Sequence, residues 1–403
     1  MGKCQICSNS LKVLLDFGPQ PVCNRYLDAK SKKEYRFPLI LSQCPMDGLL
    51  QLAKPWPADQ VRPKLDWISY IEPEAHLDDM TDRIIQMKGV TKECLIVGLS
   101  YKDEPVLSRF EVKGYKNTHN IQLSELGIEH GSGMETIQKV LTPNLALKLK
   151  ENVGTPKVIV VRHLLEHSES ISRTLSTLST WGDENSYFIF EVPDSEQTFQ
   201  ELDYGTLWEE HICYFTENTL AQTFEPHGLT LQSISRYQYT LEDCLVAIVS
   251  NRKRQSLSLI PEKNIKKELL LGKMFRDGYK PMIKHCQLAL DEIKKNGDIV
   301  MFGAGHRAIT FINLLKLESK ISCIIDDDPK KTGLLLPGSQ LPIVTSKRLY
   351  NDNSPALCIL AASPDSEKQI INKNQSYLDN GGDFKSIYLG SLNAWHPLKT
   401  LMQ

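Results

Sequence analysis

Two stretches of this chain set histidine beside carboxylate, the pairing that general acid–base chemistry uses. The first is Val160-Val161-Arg162-His163-Leu164-Leu165-Glu166-His167. The second is Tyr204-Gly205-Thr206-Leu207-Trp208-Glu209-Glu210-His211-Ile212-Cys213-Tyr214-Phe215. An imidazole flanked by acids keeps its proton affinity near neutrality, where a base is useful. The rings of the second stretch could wall such a base off from water. A single histidine of this kind is more simply a buried hydrogen-bonding residue. Two such motifs, one at the end of an apolar run, point instead to a site at the rim where open α/β sheets bind ligands.

The cysteines suggest a separate, structural chemistry. Cys4-Gln5-Ile6-Cys7 is a C-x2-C knuckle, a spacing that lets two thiolates grip one tetrahedral metal. Its second half is Cys44-Pro45-Met46-Asp47-Gly48, with Asp47 where a cysteine usually stands. Three thiolates and a carboxylate form a feasible zinc set, with Cys23 the rival fourth ligand. The alternative is that these cysteines are small core residues with no metal. Nothing in the pattern suggests catalytic zinc.

Two loops could take a nucleotide. An apolar run over 92–97 enters Gly98-Leu99-Ser100-Tyr101-Lys102-Asp103, the place of the first turn in a nucleotide-binding fold. Such turns use glycine for close backbone approach, and only Gly98 is present. The next strand, near 118–122, offers Asn120 and Gln122 where an acid would hold ribose hydroxyls. An amide can bond the diol without charge assistance. The second loop, Gly303-Ala304-Gly305-His306-Arg307-Ala308, follows an apolar run, opens a helix, and has Asp326 ending the next strand. That is a dinucleotide fingerprint. It keeps an NAD-dependent sugar oxidoreductase as an alternative, although no Tyr-x-x-x-Lys couple is placed for one.

These residues need elements to position them. Continuous apolar runs over 157–161 and 187–192 fit strands buried on both faces of a parallel sheet. The stretch 241–250 supplies a late antiparallel strand. A long helix is expected over 261–295, followed by strands at 298–302, 321–326 and 356–360. Residues 1–63 look short, strand-poor and turn-rich. The fold class is therefore α/β in three parts: an N-terminal zinc-type module (1–63), a Rossmann-like domain (64–255) and a second Rossmann-like domain with a leading helix (256–403). The 403 residues carry a formal net charge of -2, which gives no ground for a nucleic-acid partner. No apolar run is long enough to span a membrane, and Met1–Gln5 begins no apolar signal core. A cytoplasmic setting with reduced thiols is expected. The oligomeric state is left open.

At these motifs the chain resembles the three-domain SAM-dependent sugar C-methyltransferases, which include enzymes that build branched deoxysugars. The resemblance runs in order along nearly the whole chain. It begins with Cys4-x2-Cys7 and Phe17-Gly18-Pro19-Gln20-Pro21-Val22-Cys23-Asn24-Arg25-Tyr26. It continues through Arg162–His167, Glu191-Val192-Pro193-Asp194, Trp208-Glu209-Glu210-His211 and Tyr214-Phe215. It ends with Phe302–Ala308 and Asp326-Asp327-Asp328-Pro329. The departures are the missing later glycine of the first loop, Gln122 in place of the ribose acid, Asp47 in place of the fourth cysteine, and Trp208 where tyrosine is usual.

The resemblance implies S-adenosylmethionine (SAM) as cofactor, structural zinc, and a nucleoside-diphosphate keto-sugar as substrate. It implies His211 as the base that removes the proton beside the ketone, with Glu210 tuning it. His167 would stabilise the enolate or the sugar. The cofactor residues expected are Gly98, Ser100, Lys102, Gln122, Arg162, His163 and Tyr70. Substrate contacts are expected from Asn24, Arg25, Tyr214, Gly303, Gly305, His306 and Arg307, and metal ligands from Cys4, Cys7, Cys44 and Asp47. A catalytically silent nucleotide-sugar-binding homologue is the other alternative.

Overall fold

The computed structural model describes residues 2–28, 33–62, 73–129, 133–252, 262–351, 353–395 and 397. Tyr70 lies outside the described residues. Strands β1 (Lys12–Pro21), β2 (Arg36–Gln43) and β3 (Leu50–Leu52) open the chain. This corrects the expectation of a strand-poor module. Gly18, Pro19 and Pro21 lie inside β1, and such residues read as turns in sequence although an edge strand tolerates them.

The central sheet contains β4 (Ile96–Gly98), β5 (Thr118–Asn120), β6 (Val158–Arg162) and β7 (Tyr187–Pro193). Next comes the short β8 (Cys213–Tyr214), then β9 (Thr230–Tyr237) and β10 (Cys244–Ser250). The order is β5-β4-β6-β7-β10-β9. The first four strands are parallel, and β10 runs antiparallel between β7 and β9. This is a class I methyltransferase sheet. Ile96, Val158, Val160 and Ile189 pack on one face, and Val97, Ile159, Val161 and Phe188 on the other. With both faces apolar, the strands show no alternation, as the sequence runs implied. The strand β8 leaves this sheet and pairs with β3, giving a four-stranded sheet β1-β2-β3-β8.

A helix over Glu262–Lys294 leads into the last sheet. Its strands are β11 (Ile299–Phe302), β12 (Cys323–Ile325), β13 (Ile343–Val344), β14 (Leu357–Leu360) and β15 (Phe384–Ser386). All are parallel, in the order β13-β12-β11-β14-β15. The chain forms two compact units. One comprises Met1–Leu14, Leu41–Glu196 and Glu210–Leu270, and the other Leu15–Ile40, Gln197–Glu209 and Leu271–Gln403. Among the described residues no helix is long and apolar enough to cross a membrane.

Candidate active site

The chain turns abruptly where β6 ends. His163 has φ of 50°, in the left-handed region that non-glycine residues occupy at a cost. Glu191 of β7 holds it there. The Glu191 carbonyl accepts from the His163 N–H at 2.9 Å, and its carboxylate lies 3.0 Å from His163 Nε2. Arg162 clamps the same carboxylate through Nε at 2.6 Å and Nη2 at 3.0 Å, with His76 Nε2 at 3.1 Å. Burial alone would raise the Glu191 pKa. The bonds from His163, His76 and Arg162 overcome it and hold the carboxyl well below its usual range.

Beyond this anchor, Leu165–His167 form one 3-10 turn that presents Glu166 and His167 together, both buried. The His167 and His211 rings meet edge to face, with centroids 4.8 Å apart. The N–H of Ile212 donates to the Glu166 carbonyl at 2.8 Å, which fixes one segment against the other. Burial, followed by the neighbouring His211 and His163, pushes His167 well below the ordinary imidazole pKa. It is therefore neutral at pH 7. The ring of Tyr214 stands 6.3 Å from that of His211, and Glu210 is buried next to it in sequence. Sequence reasoning missed Glu166, Glu191 and Asp103 as functional groups. The signal for Glu166 was its position between His163 and His167, which one tight turn brings together.

The loop after β4 is closed by an acid instead of further glycines. Asp103, fully buried, accepts from the N–H groups of Leu99 (2.8 Å), Ser100 (2.9 Å) and Arg162 (2.8 Å). Burial raises its pKa to about 6 against those bonds. A Cβ on Gly98 would lie 2.6 Å from Asp103 Cβ and 2.8 Å from Asn120 Oδ1, so glycine is required there. Asn120, in the strand beside Gly98, leaves its Oδ1 buried with no hydrogen-bond partner. An orphaned acceptor at this tip suits the hydroxyl donors of SAM's ribose, so the residues present fit the cofactor. Gln122 is exposed and donates from Nε2 to the Asn120 carbonyl. The Ser100 hydroxyl accepts from the Lys102 N–H at 3.1 Å, and the Lys102 carbonyl accepts from Arg162 Nη1 at 2.5 Å.

The cysteine cluster is built from two similar knuckles. The Ile6 N–H points at Cys4 Sγ (3.3 Å), and the Met46 N–H at Cys44 Sγ (3.4 Å). Each knuckle closes on a left-handed residue, Ser8 or Gly48. Cys4 Sγ lies 3.1 Å from Asp47 Oδ2, and Cys7 Sγ lies 3.5 Å from Cys44 Sγ. All four donor atoms lie within 4.8 Å of one another. Burial raises the Cys7 thiol to about 11, and the hydrogen bond from Cys4 lowers Cys44 to about 7. Sulfur donors converging on one carboxylate oxygen fit tetrahedral zinc. Cys23 is not part of this set, because its N–H and thiol both bond to Glu209.

In the second unit the loop Gly303–Arg307 follows β11 at the switch point of its sheet. His306 stacks on Trp208 with centroids 4.5 Å apart. Arg307 pairs with Asp203 and lies over the Tyr388 ring. Arg25 donates to the buried Asn24 side chain, and Tyr26 donates to the Ala304 carbonyl. Asp326 is spent inside the loop. It accepts from the Ala304 N–H at 2.9 Å and pairs with Lys331 at 2.9 Å. An acid so engaged is not presented to a ribose, as a dinucleotide fold would need it.

A strand-end histidine pair beside a SAM-type loop in a class I sheet defines a SAM-dependent methyltransferase. Family comparison agrees over three successive stretches of the chain. Residues 4–61 match a zinc binding domain, 98–234 a methyltransferase domain, and 268–387 a C-methyltransferase C-terminal domain. The chain belongs to the three-domain SAM-dependent C-methyltransferases. It is 21% identical over 404 residues to C-methyltransferase NovU of Streptomyces niveus, covering 95% of this chain and 94% of that one. Among solved structures, it is similar to a SAM-dependent methyltransferase from Anabaena variabilis (12% identity, TM-score 0.31, 44% of this chain and 84% of that one). Another, from Clostridium acetobutylicum, shows 10% identity and a TM-score of 0.31, covering 44% of this chain and 92% of that one. The alternatives of an NAD-dependent oxidoreductase and of a catalytically silent homologue give way to this membership.

Proposed function

We propose that the acceptor is a nucleoside-diphosphate-linked keto-deoxysugar, methylated on the carbon beside its ketone. The observation that carries this reading is the edge-to-face pair of buried His167 and half-buried His211. Carbon is a poor nucleophile until a base removes an acidic C–H. SAM, when bound, supplies a methyl group on a positively charged sulfur. His211 takes the proton, and the resulting charge spreads onto the carbonyl oxygen. His167, kept neutral by burial, can donate an N–H toward that oxygen as charge develops. Glu210 tunes His211, and Tyr214 walls the site.

Gly98, Ser100, Lys102, Gln122, Arg162, His163 and Tyr70 are the proposed cofactor residues. The contribution of Arg162 is to hold the loop through the Lys102 carbonyl and Glu191. Asn120, with its orphaned acceptor, joins the set. Asn24, Arg25, Gly303, Gly305, His306 and Arg307 are proposed for the nucleotide-sugar, using a loop before a helix start. Three functional parts, 1–63, 64–255 and 256–403, then serve zinc, cofactor and substrate. His211→Ala tests the reading through S-adenosylhomocysteine release with a keto-sugar acceptor. A loss within the about 10²–10⁴-fold worth of a positioned base is expected, with SAM binding kept. Wild-type turnover in that variant would remove His211 from the base role.

A further inference from the structure

Glu166 presents an unusual electrostatic situation. Its side chain is only 2% exposed, and neither carboxylate oxygen has a hydrogen-bond partner. His163 Nδ1 stands 3.4 Å from one of them. A buried carboxylate without hydrogen-bond partners is costly, so such a group persists where a charge arrives during function. Two imidazoles face it, since one ring nitrogen each of His167 and His211 lies within 4.8 Å of a Glu166 oxygen. Nδ1 of His167 is itself buried and unpartnered. Behind Glu166 the array continues through His163 to Glu191, which the Arg162 guanidinium already pairs and His76 also contacts. That acid is spent, and Glu166 is not.

We propose that Glu166 is the positioning residue of the histidine pair, its carboxylate pairing, on the ring nitrogen that does not take the substrate proton, with the imidazolium charge that His211 acquires during turnover. This rests on the reading of His211 as the base. The step balances. The acceptor C–H bond breaks, its proton forms the second N–H of His211, and its electron pair passes to the enolate. The enolate carbon then bonds to the methyl carbon as the methyl–sulfur bond breaks, and S-adenosylhomocysteine leaves. His211 finally releases the proton to solvent. Glu166 pairs with the charge as a buried carboxylate does with a catalytic imidazolium. The groups facing it are His163 at the end of β6, His167 on its own turn, and His211 and Cys213 beside β8. Lys102, from the loop after β4, acts on the same pair through His167.

The test uses the full-length, zinc-loaded protein and follows the ring C–H resonance of His211 by NMR from pH 5 to 9, without acceptor. In Glu166→Gln the His211 midpoint is expected to fall by about one unit, because an opposite charge at this range favours the protonated ring. Glu166→Asp should restore most of it. With acceptor, the acid limb of kcat/KM should move the same way and kcat should drop, while SAM affinity stays. Should Glu166→Gln fail to fold, the wild-type Glu166 carboxyl carbon remains readable and should shift with the His211 midpoint. A midpoint unmoved in folded Glu166→Gln, or a Glu166 carbon silent through the His211 titration, overturns the proposal. So does a divalent ion, beyond the zinc of the cysteine site, bound in wild type and lost in Glu166→Gln. If wild type turned over no keto-sugar, the substrate reading would fail while the NMR titration still judged Glu166.

Discussion

A neutral, buried histidine leaves a mark on stability as well as on rate. The His167 pKa is depressed in the folded chain, so below about 6.5 the unfolded chain binds more protons there. Its contribution is full above the usual imidazole pKa and is lost as pH falls. Asp103 acts in the opposite sense, since its pKa is raised to about 6 and the folded chain binds the extra proton. Comparing variants separates the two. The urea midpoint at pH 7.5 minus that at pH 5.5 should be lower in His167→Gln than in wild type, and an unchanged value would show that His167 does not titrate as a buried ring. Residue types announced the histidines. The partner of each was not legible, because the left-handed turn at His163 and the clamp on Glu191 are made by β6 and β7, far apart in sequence.

Elements explain why a zinc module accompanies a methyl-transfer site. Gln5, inside the first knuckle, donates to the Glu169 carbonyl at 2.9 Å and accepts from the Ile171 N–H at 3.2 Å. The second knuckle links β2 to β3. That strand pairs with β8 directly after His211, and Leu52 donates to the Ile212 carbonyl at 2.9 Å. The metal site thus holds both segments that carry the histidines. Cys4→Ser should lower bound zinc, measured by elemental analysis, and reduce kcat more than SAM affinity; unchanged zinc would exclude Cys4 as a ligand. Gly98→Ala should destabilise the chain by about 1–3 kcal/mol, the range for overpacking, and weaken SAM binding measured calorimetrically. Wild-type affinity there would show that the close approach of Gly98, Asp103 and Asn120 is dispensable. Strands β6, β7, β10, β11 and β14 were legible as apolar runs. The first sheet was not, because exposed β1 carries turn residues and the two-residue β8 has no periodicity to read.

At the scale of the molecule, the order of motifs carried more than any single one. Gly303-Ala304-Gly305 alone suggested a dinucleotide, yet Asp326 is consumed within its own loop. The loop at Gly98 alone suggested little, yet Asp103 and Asn120 rebuild a cofactor turn without the missing glycine. Contacts of this kind depend on a folded backbone and leave no sequence spacing behind. Methyl transfer to carbon is tested most directly by reacting the purified protein with SAM carrying a 13C methyl group and a nucleoside-diphosphate keto-deoxysugar, followed by NMR of the product. A labelled methyl bonded to the carbon beside the ketone is expected, with transfer by His211→Ala slowed about 10²–10⁴-fold. A labelled methyl on oxygen, or carbon transfer at the wild-type rate without His211, would contradict that expectation.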